Sequence, residues 1–305
     1  MLELRLHNVD LARWGTDAVP TVMRDVWSTL GMRGRLSLAT LRFDGPGGPG
    51  AGANGDFRIG LELADVAMNA LIPSDVPSRP GADKPLVLTE VNGAITFETK
   101  GLTARLRGKV EDLPAQVVLT TEGIGLDAPV RCELIIEKFE VSKEPDLMPF
   151  APPIVRENFA RFSGPTAVVD ARVVVTRARG VGGKPGEVMT QGSIAFENGA
   201  AAFDKFPYPV EQLQGLVRFD EKAIELVNIR GRGLTGAIVS ADGRIAPPRK
   251  GAEMLVNVLV LDAPIDEHLL GAMSTDKRAV MEKLFNREAA AELERRGLTA
   301  TAAEH

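Results

Sequence analysis

The sequence has few of the residues from which proteins build catalytic and metal sites. Its 305 residues include one cysteine, Cys132, and three histidines, His7, His268 and His305. A lone cysteine excludes an intrachain disulfide framework, and each histidine stands without a nearby Cys or second His. Cys132 lies in a stretch with strand-like alternation, so we expect a buried or groove-facing thiol rather than a nucleophile. We therefore predict no catalytic residues, no metal site and no cofactor, and we expect that the protein is not an enzyme.

Basic residues, aromatic residues and long apolar runs are also scarce. The net charge is −5 and aromatic residues make up 5% of the chain. Nucleic-acid binding needs clustered Lys and Arg, so the acidic balance argues against a nucleic-acid partner. The longest apolar run, near 255–261, is far shorter than the roughly 20 residues of a membrane-spanning helix. The N-terminal residues alternate like a strand and do not resemble a signal peptide, so we expect a piece of a longer protein.

The chain is rich in short β-branched and aliphatic runs separated by Gly, Pro, Asn-Gly or Asp-Gly. This punctuation, repeated about every 8–12 residues, is typical of successive antiparallel hairpins. The clearest strands are predicted at Leu216–Asp220, Glu225–Arg230, Ala237–Ile245 and Met254–Leu261. Helical spacing predicts short helices near 22–30, 154–162 and 266–285. The expected fold is mainly β, a long curved antiparallel sheet of about a dozen strands with short helices between repeats.

Two parts of the chain share a pattern. Gly93–Glu98 aligns with Gly215–Asp220, and further landmarks then follow in the same order: Gly108 with Gly231, Gly123 with Gly243, and Glu137–Val141 with Leu261–Ile265. Upstream, Phe57–Leu63 corresponds to Thr190–Phe196. Four ordered landmarks indicate an internal repeat. We predict one continuous array over 1–305, with units at about 1–90 (partial), 91–165 and 166–290. Residues 286–305 are expected to form a charged helical tail.

One aliphatic face stands out in the last third of the chain. Met254, Val256, Val258 and Val260 alternate without interruption, and similar alternation precedes them. If no second sheet covers this face, another apolar molecule must, because each buried Val or Leu side chain is worth roughly 1.5–3 kcal/mol. The residues predicted to line an apolar groove are Val217, Phe219, Val227, Ile229, Val239, Met254, Val256, Val258 and Val260.

Six stretches of glycines and apolar residues follow one another in a recognisable order. They are Gly192–Gly199, Phe206–Pro209, Gly215–Asp220, Asn228–Gly231, Asp242–Gly243 and Val258–Asp266. This order resembles the AsmA-like family of bridge-like lipid-transfer proteins of Gram-negative envelopes. The last stretch, a hydrophobic strand running into Asp-Ala-Pro-Ile-Asp, is the most family-like.

The resemblance implies a β-groove that carries phospholipid, or another acyl-chain lipid, between the inner and outer membranes. It implies a periplasmic location, an inner-membrane anchor and membrane contacts supplied by other parts of a full protein, and possible envelope assembly proteins as partners. Two other classes stay open. A structural or assembly scaffold for outer-membrane biogenesis would close its apolar face with its own second layer. An enzyme or carbohydrate binder on a β-solenoid would show a shorter period and a cluster of polar groups on one face.

Overall fold

The computed structural model describes twelve segments: residues 2–11, 30–44, 56–69, 87–110, 112–123, 127–141, 159–182, 184, 186–204, 206–233, 235–248 and 251–284. Thirteen β-strands account for most of them. The strands are β1 (Leu2–Asp10), β2 (Arg33–Asp44), β3 (Asp56–Asn69), β4 (Val87–Glu98), β5 (Gly101–Val110), β6 (Leu113–Thr121), β7 (Val130–Glu140), β8 (Phe162–Arg177), β9 (Val188–Phe203), β10 (Phe206–Phe219), β11 (Ile224–Gly233), β12 (Ile238–Ala246) and β13 (Glu253–Leu261).

All thirteen strands belong to one antiparallel sheet in which spatial order equals chain order. Each strand therefore pairs only with its neighbours in sequence, and β1 and β13 form the two edges. This confirms the mainly β prediction and the hairpin order. The four strands predicted in the last third are present, although β10 starts ten residues before the predicted Leu216 because Phe206–Gly215 pairs as well.

The sheet has one apolar face and one polar face. On β5 the buried residues Leu102, Ala104 and Leu106 alternate with exposed Thr103 and Arg105, as the alternation predicts. Following the cross-strand partners from β1 to β13 keeps most of the apolar residues on the same side, with Leu255, Leu259 and Leu261 of β13 on the other. We call the side that carries Leu102 and Leu106 the inner face, and the opposite side the outer face.

The inner face of the first half of the sheet is largely buried, and Leu11 and Leu30 outside the strands join its core. Inner-face residues of β2–β5 such as Leu36, Val66, Val91 and Phe97 are completely buried, and one apolar core extends from β1 to β7. One apolar cavity is lined both by residues of β3 and by Cys132 of β7. In a flat sheet, strands four positions apart are about 19 Å from each other. The sheet is therefore strongly curved around its inner face, and we call β2–β7 the closed half.

Bulges supply this curvature, and a recurrent hydrogen bond fixes three of them. Asp65 on β3, Lys138 on β7 and Asn228 on β11 all have positive φ at register shifts. In each case the bulge N–H donates to a side-chain oxygen on the following strand, over 3.3 Å, 2.8 Å and 2.7 Å respectively. The acceptors are Asn92, Asp170 and Asp242. An extra residue in one strand bends and twists it, so the same device bends the sheet every fourth strand.

The repeat-like architecture is also visible in the strand order. Gly93–Glu98 lies in β4 and its counterpart Gly215–Asp220 ends β10, so β4–β7 corresponds to β10–β13. Phe57–Leu63 in β3 and Thr190–Phe196 in β9 extend the correspondence by one strand. The landmark pair Gly123 and Gly243 does not occupy equivalent positions, because Gly123 lies in the turn after β6 whereas Gly243 lies within β12. The proposed unit boundaries stay a prediction.

Two helices follow β13, where the sequence predicts one helical region over 266–285. They are α1 (Glu267–Ala272) and α2 (Thr275–Leu284). Asp266 caps α1, since its side chain accepts a hydrogen bond from the Leu269 N–H over 2.9 Å. The helix predicted at 22–30 lies outside the described residues except for Leu30, and that predicted at 154–162 is described only from Phe159. The tail at 286–305 also lies outside them.

Candidate functional site

The inner face of β8–β13 is the open part of the sheet, and we call it the open half. Cross-strand pairing places eight of the nine predicted groove residues on this face. Val258 pairs with Ala241, Val256 with Gly243 and Val217 with Leu226, all on the inner side. The eight inner-face residues are Val217, Phe219, Ile229, Val239, Met254, Val256, Val258 and Val260.

Val227 is the exception, and it lies on the outer face opposite Leu216. Simple alternation groups it with Ile229, two residues further on. The bulge at Asn228 breaks this alternation, because Val227 and Asn228 together oppose the single residue Asp242. The assignment of Val227 to the groove is corrected accordingly.

Glycines keep the inner face of the open half low and even, and we call this surface the floor. A methyl group built on Gly215 would lie 2.5 Å from Cδ1 of Ile229 and 3.2 Å from the ring of Phe196. At Gly192 it would lie 2.5 Å from the ring of Phe219, and at Gly233 a similar distance from the ring of Tyr208. Large apolar side chains of neighbouring strands therefore lie across glycines instead of standing up from the sheet. This packing leaves a low apolar surface without filling the space above it.

The β13 edge of this surface is exposed. Met254 and Val258 on β13 are 46% and 56% exposed, in contrast to the completely buried Leu36, Val66 and Phe97 on the inner face of β2–β4. The side chains that point inward from β10–β13, all of them described, include no charged group. The inner face of β10–β13 is thus an uncharged apolar floor that the described residues leave partly uncovered.

One end of the floor is covered by α1. Leu269 and Ala272 of the helix form a small core with Tyr208 of β10, and Val239 of β12 packs at its border. Tyr208 is only 2% exposed, and its hydroxyl lies 3.4 Å from that of Thr235. The Asp-Ala-Pro-Ile-Asp stretch at 262–266 thus has a structural role, because it turns the chain from β13 back over the inner face and caps the helix.

The opposite end of the strands is held by a second small core. Phe219, Ile224 and Ile245 are buried there, with Val217 packed beside them. The Phe219–Ile224 turn is fixed by Asp220, whose carboxylate accepts the N–H groups of Lys222 and Ala223, both over 2.8 Å. These two backbone donors lower the pKa of the Asp220 carboxyl. The open floor therefore lies between two buried ends.

The outer face is polar and carries cross-strand ion pairs. Arg58 and Glu98 are 3.3 Å apart, Lys109 and Glu90 are 2.7 Å apart, and Arg172 bonds to Glu133. Such exposed pairs add little stability, but they keep this face hydrated. A sheet with one hydrated and one apolar face can hold an apolar molecule on one side while it stays in water on the other.

Cys132 lies on the inner face of the closed half, against Leu119 and Val175. Burial, and to a smaller extent the neighbouring Glu133 carboxylate, raises the pKa of its thiol to about 11. A thiol with a raised pKa is a poor nucleophile at neutral pH. Its position fits a packing role, as expected from the sequence.

The described residues contain neither a metal-binding cluster nor a membrane-spanning helix. No three His, Cys, Asp or Glu side chains in this part of the chain come together as a group that could hold a metal ion. No helix among the described segments has the length and apolar character needed to cross a membrane.

Comparison with known proteins identifies no protein similar to this chain. No protein-family model matches the chain, and no curated protein or solved structure is significantly similar to it.

Proposed function

We propose that the open half of the sheet holds the acyl chains of phospholipid and passes them along an apolar β-groove. The observation that carries the proposal is the contrast between the two halves of one inner face. That face is largely buried in β2–β7, whereas in β10–β13 most of it is only partly buried and it carries no charge, with Val258 at the β13 edge 56% exposed. An apolar surface of this kind is a ligand or interaction site in soluble proteins.

The energetics favour an acyl chain as the ligand. Each methylene moved out of water is worth about 0.8 kcal/mol, so a chain of about fifteen carbons gains on the order of 12 kcal/mol in an apolar groove. The uncharged floor of β10–β13 offers aliphatic contacts to such a chain. Movement along the groove then needs no covalent chemistry, and the residues required are aliphatic ones.

The resemblance to the AsmA-like family supports phospholipid as the ligand and indicates where in the cell the protein works. Under this proposal the protein works in the periplasm of a cell envelope, between the inner and outer membranes. Its partners there are phospholipid and the assembly proteins of the envelope. The stretch Val258–Asp266, the most family-like of the six, forms the exposed edge of the proposed groove and the turn into α1.

Mass spectrometry of the purified protein tests the proposal. An organic extract of the folded protein should contain phospholipid in a fixed ratio to the chain after extensive washing. A parallel extract of the protein unfolded and washed in denaturant before extraction is the control, and it should contain none. Absence of lipid from the folded protein, with the inner face open to hydrogen exchange or to an apolar dye, would exclude the transfer function.

The second candidate is a scaffold for outer-membrane biogenesis that carries no lipid. The closed half favours it, since β2–β7 already bury their inner face without a ligand. In that case a substitution in the open half should behave like a core substitution and destabilise the fold. The two candidates therefore make opposite predictions for Val258.

A further inference from the structure

The two edges of the sheet are built differently. On β1 the outer face carries Glu3, Arg5 and His7, and Asn8 has a positive φ. Charges on an edge strand hinder pairing with other strands. The edge at β1 is therefore protected in the usual way.

The β13 edge has none of this protection. Seven of its nine residues are apolar, its only charged residue is Glu253 at the start, and no bulge interrupts its pairing with β12. Both of its faces are exposed, with Leu255 67% and Leu259 55% exposed on the outer face, where most other strands carry charges. A long apolar edge of this kind is a template for another strand.

We propose that β13 pairs antiparallel with β13 of a second copy of this chain, about a two-fold axis at Asn257. The sequence of the strand is self-complementary in this register. Leu255 lies opposite Leu259 of the second copy, Val256 opposite Val258, and Met254 opposite Val260. Six of the seven apolar residues meet an apolar residue of the same face, Leu261 lies opposite Glu253, and no two charges of the same sign face each other.

A two-fold axis normal to the sheet leaves the inner face of both copies on the same side. The pairing therefore joins the two open halves into one surface, in which the exposed Met254 and Val258 gain cross-strand neighbours. The pairing itself depends on the β13 edge alone and does not rest on the proposed lipid function.

Cysteine cross-linking tests the register directly. Paired antiparallel strands bring facing Cα atoms to about 4.5–5.5 Å, which lies within the range of a disulfide. Asn257→Cys should therefore yield a covalent dimer under mild oxidation of the full chain. Arg5→Cys on the β1 edge is the matched control and should stay monomeric. Cys132 is present in both variants, so its contribution cancels.

The mass of the wild-type protein gives a second readout. Light scattering should show a dimer, and Asn257→Lys should weaken dimerisation about fivefold or more, because it places two like charges opposite each other. The introduced ammonium group would also lie beside Asp242, the β12 partner of Asn257 within one chain, so the variant should fold. Since Asn257 is on the outer face, the lipid content per chain should not change. A monomer at high concentration, or a dimer in which Asn257→Cys cross-links no better than Arg5→Cys, would overturn the proposal.

Discussion

At the scale of single residues, the floor of the open half depends on glycines, because they have no side chain. A methyl group at Gly215 would lie 2.5 Å from Cδ1 and 3.0 Å from Cα of Ile229. The second of these atoms belongs to the backbone, so the contact cannot be relieved by a change of rotamer alone. The close packing of β10 against β11 at this position therefore requires a glycine at residue 215.

Gly215→Ala should therefore destabilise the protein by roughly 1–3 kcal/mol, the usual range for overpacking. Gly60→Ala on the outer face of β3 is the matched control, because a methyl group there meets nothing within 4 Å. The free energy of unfolding, measured by urea denaturation, should fall for the first variant and stay within about 0.5 kcal/mol for the second. Equal effects at both positions would contradict the account of the floor.

Cys132 allows a prediction about pH. Since burial raises the pKa of its thiol to about 11, the thiolate fraction at pH 8 should be about a hundredfold lower than in the unfolded chain. Labelling by a thiol reagent should be correspondingly slow in the native protein and fast in denaturant. The unfolded thiol ionises first, so this group stabilises the fold below pH 9 and its contribution is lost as the pH rises towards 11. Equal labelling rates in the two states would show an accessible thiol.

At the scale of elements, bulges decide where the sheet bends and which side chains face inward. The hydrogen bond from the Asn228 N–H to Asp242 measures 2.7 Å and holds the bulge that turns Val227 outward. The equivalent bond on β4 uses Asn92, so an amide oxygen can serve in place of a carboxylate.

Asp242→Ala should consequently lower the free energy of unfolding by about 0.5–1.5 kcal/mol, the net value of one hydrogen bond. Asp242→Asn, which keeps the acceptor oxygen, should retain most of the stability. Urea denaturation of the two variants checks this order. If Asp242→Asn proved as unstable as Asp242→Ala, the charge of Asp242 and not its hydrogen bond would support the bulge.

These bulges also explain what the sequence could and could not predict. Alternation correctly identified the strands and placed Val256, Val258 and Val260 on one face, because no bulge interrupts β13. Alternation placed Val227 on the wrong face, because the next residue, Asn228, has positive φ and forms a bulge. Asn is a residue that tolerates this conformation, but Lys138 forms the same kind of bulge and gives no signal. The sequence signal for such a bulge is an Asn or Asp in the middle of the next strand, because its side-chain oxygen accepts the N–H of the bulge.

At the scale of the whole molecule, one sheet combines a closed half and an open half. The closure of β2–β7 could not be predicted from the sequence, since apolar alternation is the same in both halves. In the structure Leu11 and Leu30, which lie outside the strands, join the core of β1–β7, and alternation along a strand does not reveal such distant contacts. The open half is where the account places the function.

The most direct test of that function compares Val258→Asp with Leu259→Asp. The two residues are neighbours on β13 with nearly equal exposure, 56% and 55%, but they lie on opposite faces. The measurement is the amount of phospholipid extracted per folded chain. We expect Val258→Asp to lower it about tenfold or more, because an unpaired carboxylate against an acyl chain costs several kcal/mol. Leu259→Asp should keep the wild-type lipid content, and both should melt close to the wild-type temperature. Loss of folding in Val258→Asp, or the same lipid content in both variants, would contradict the account.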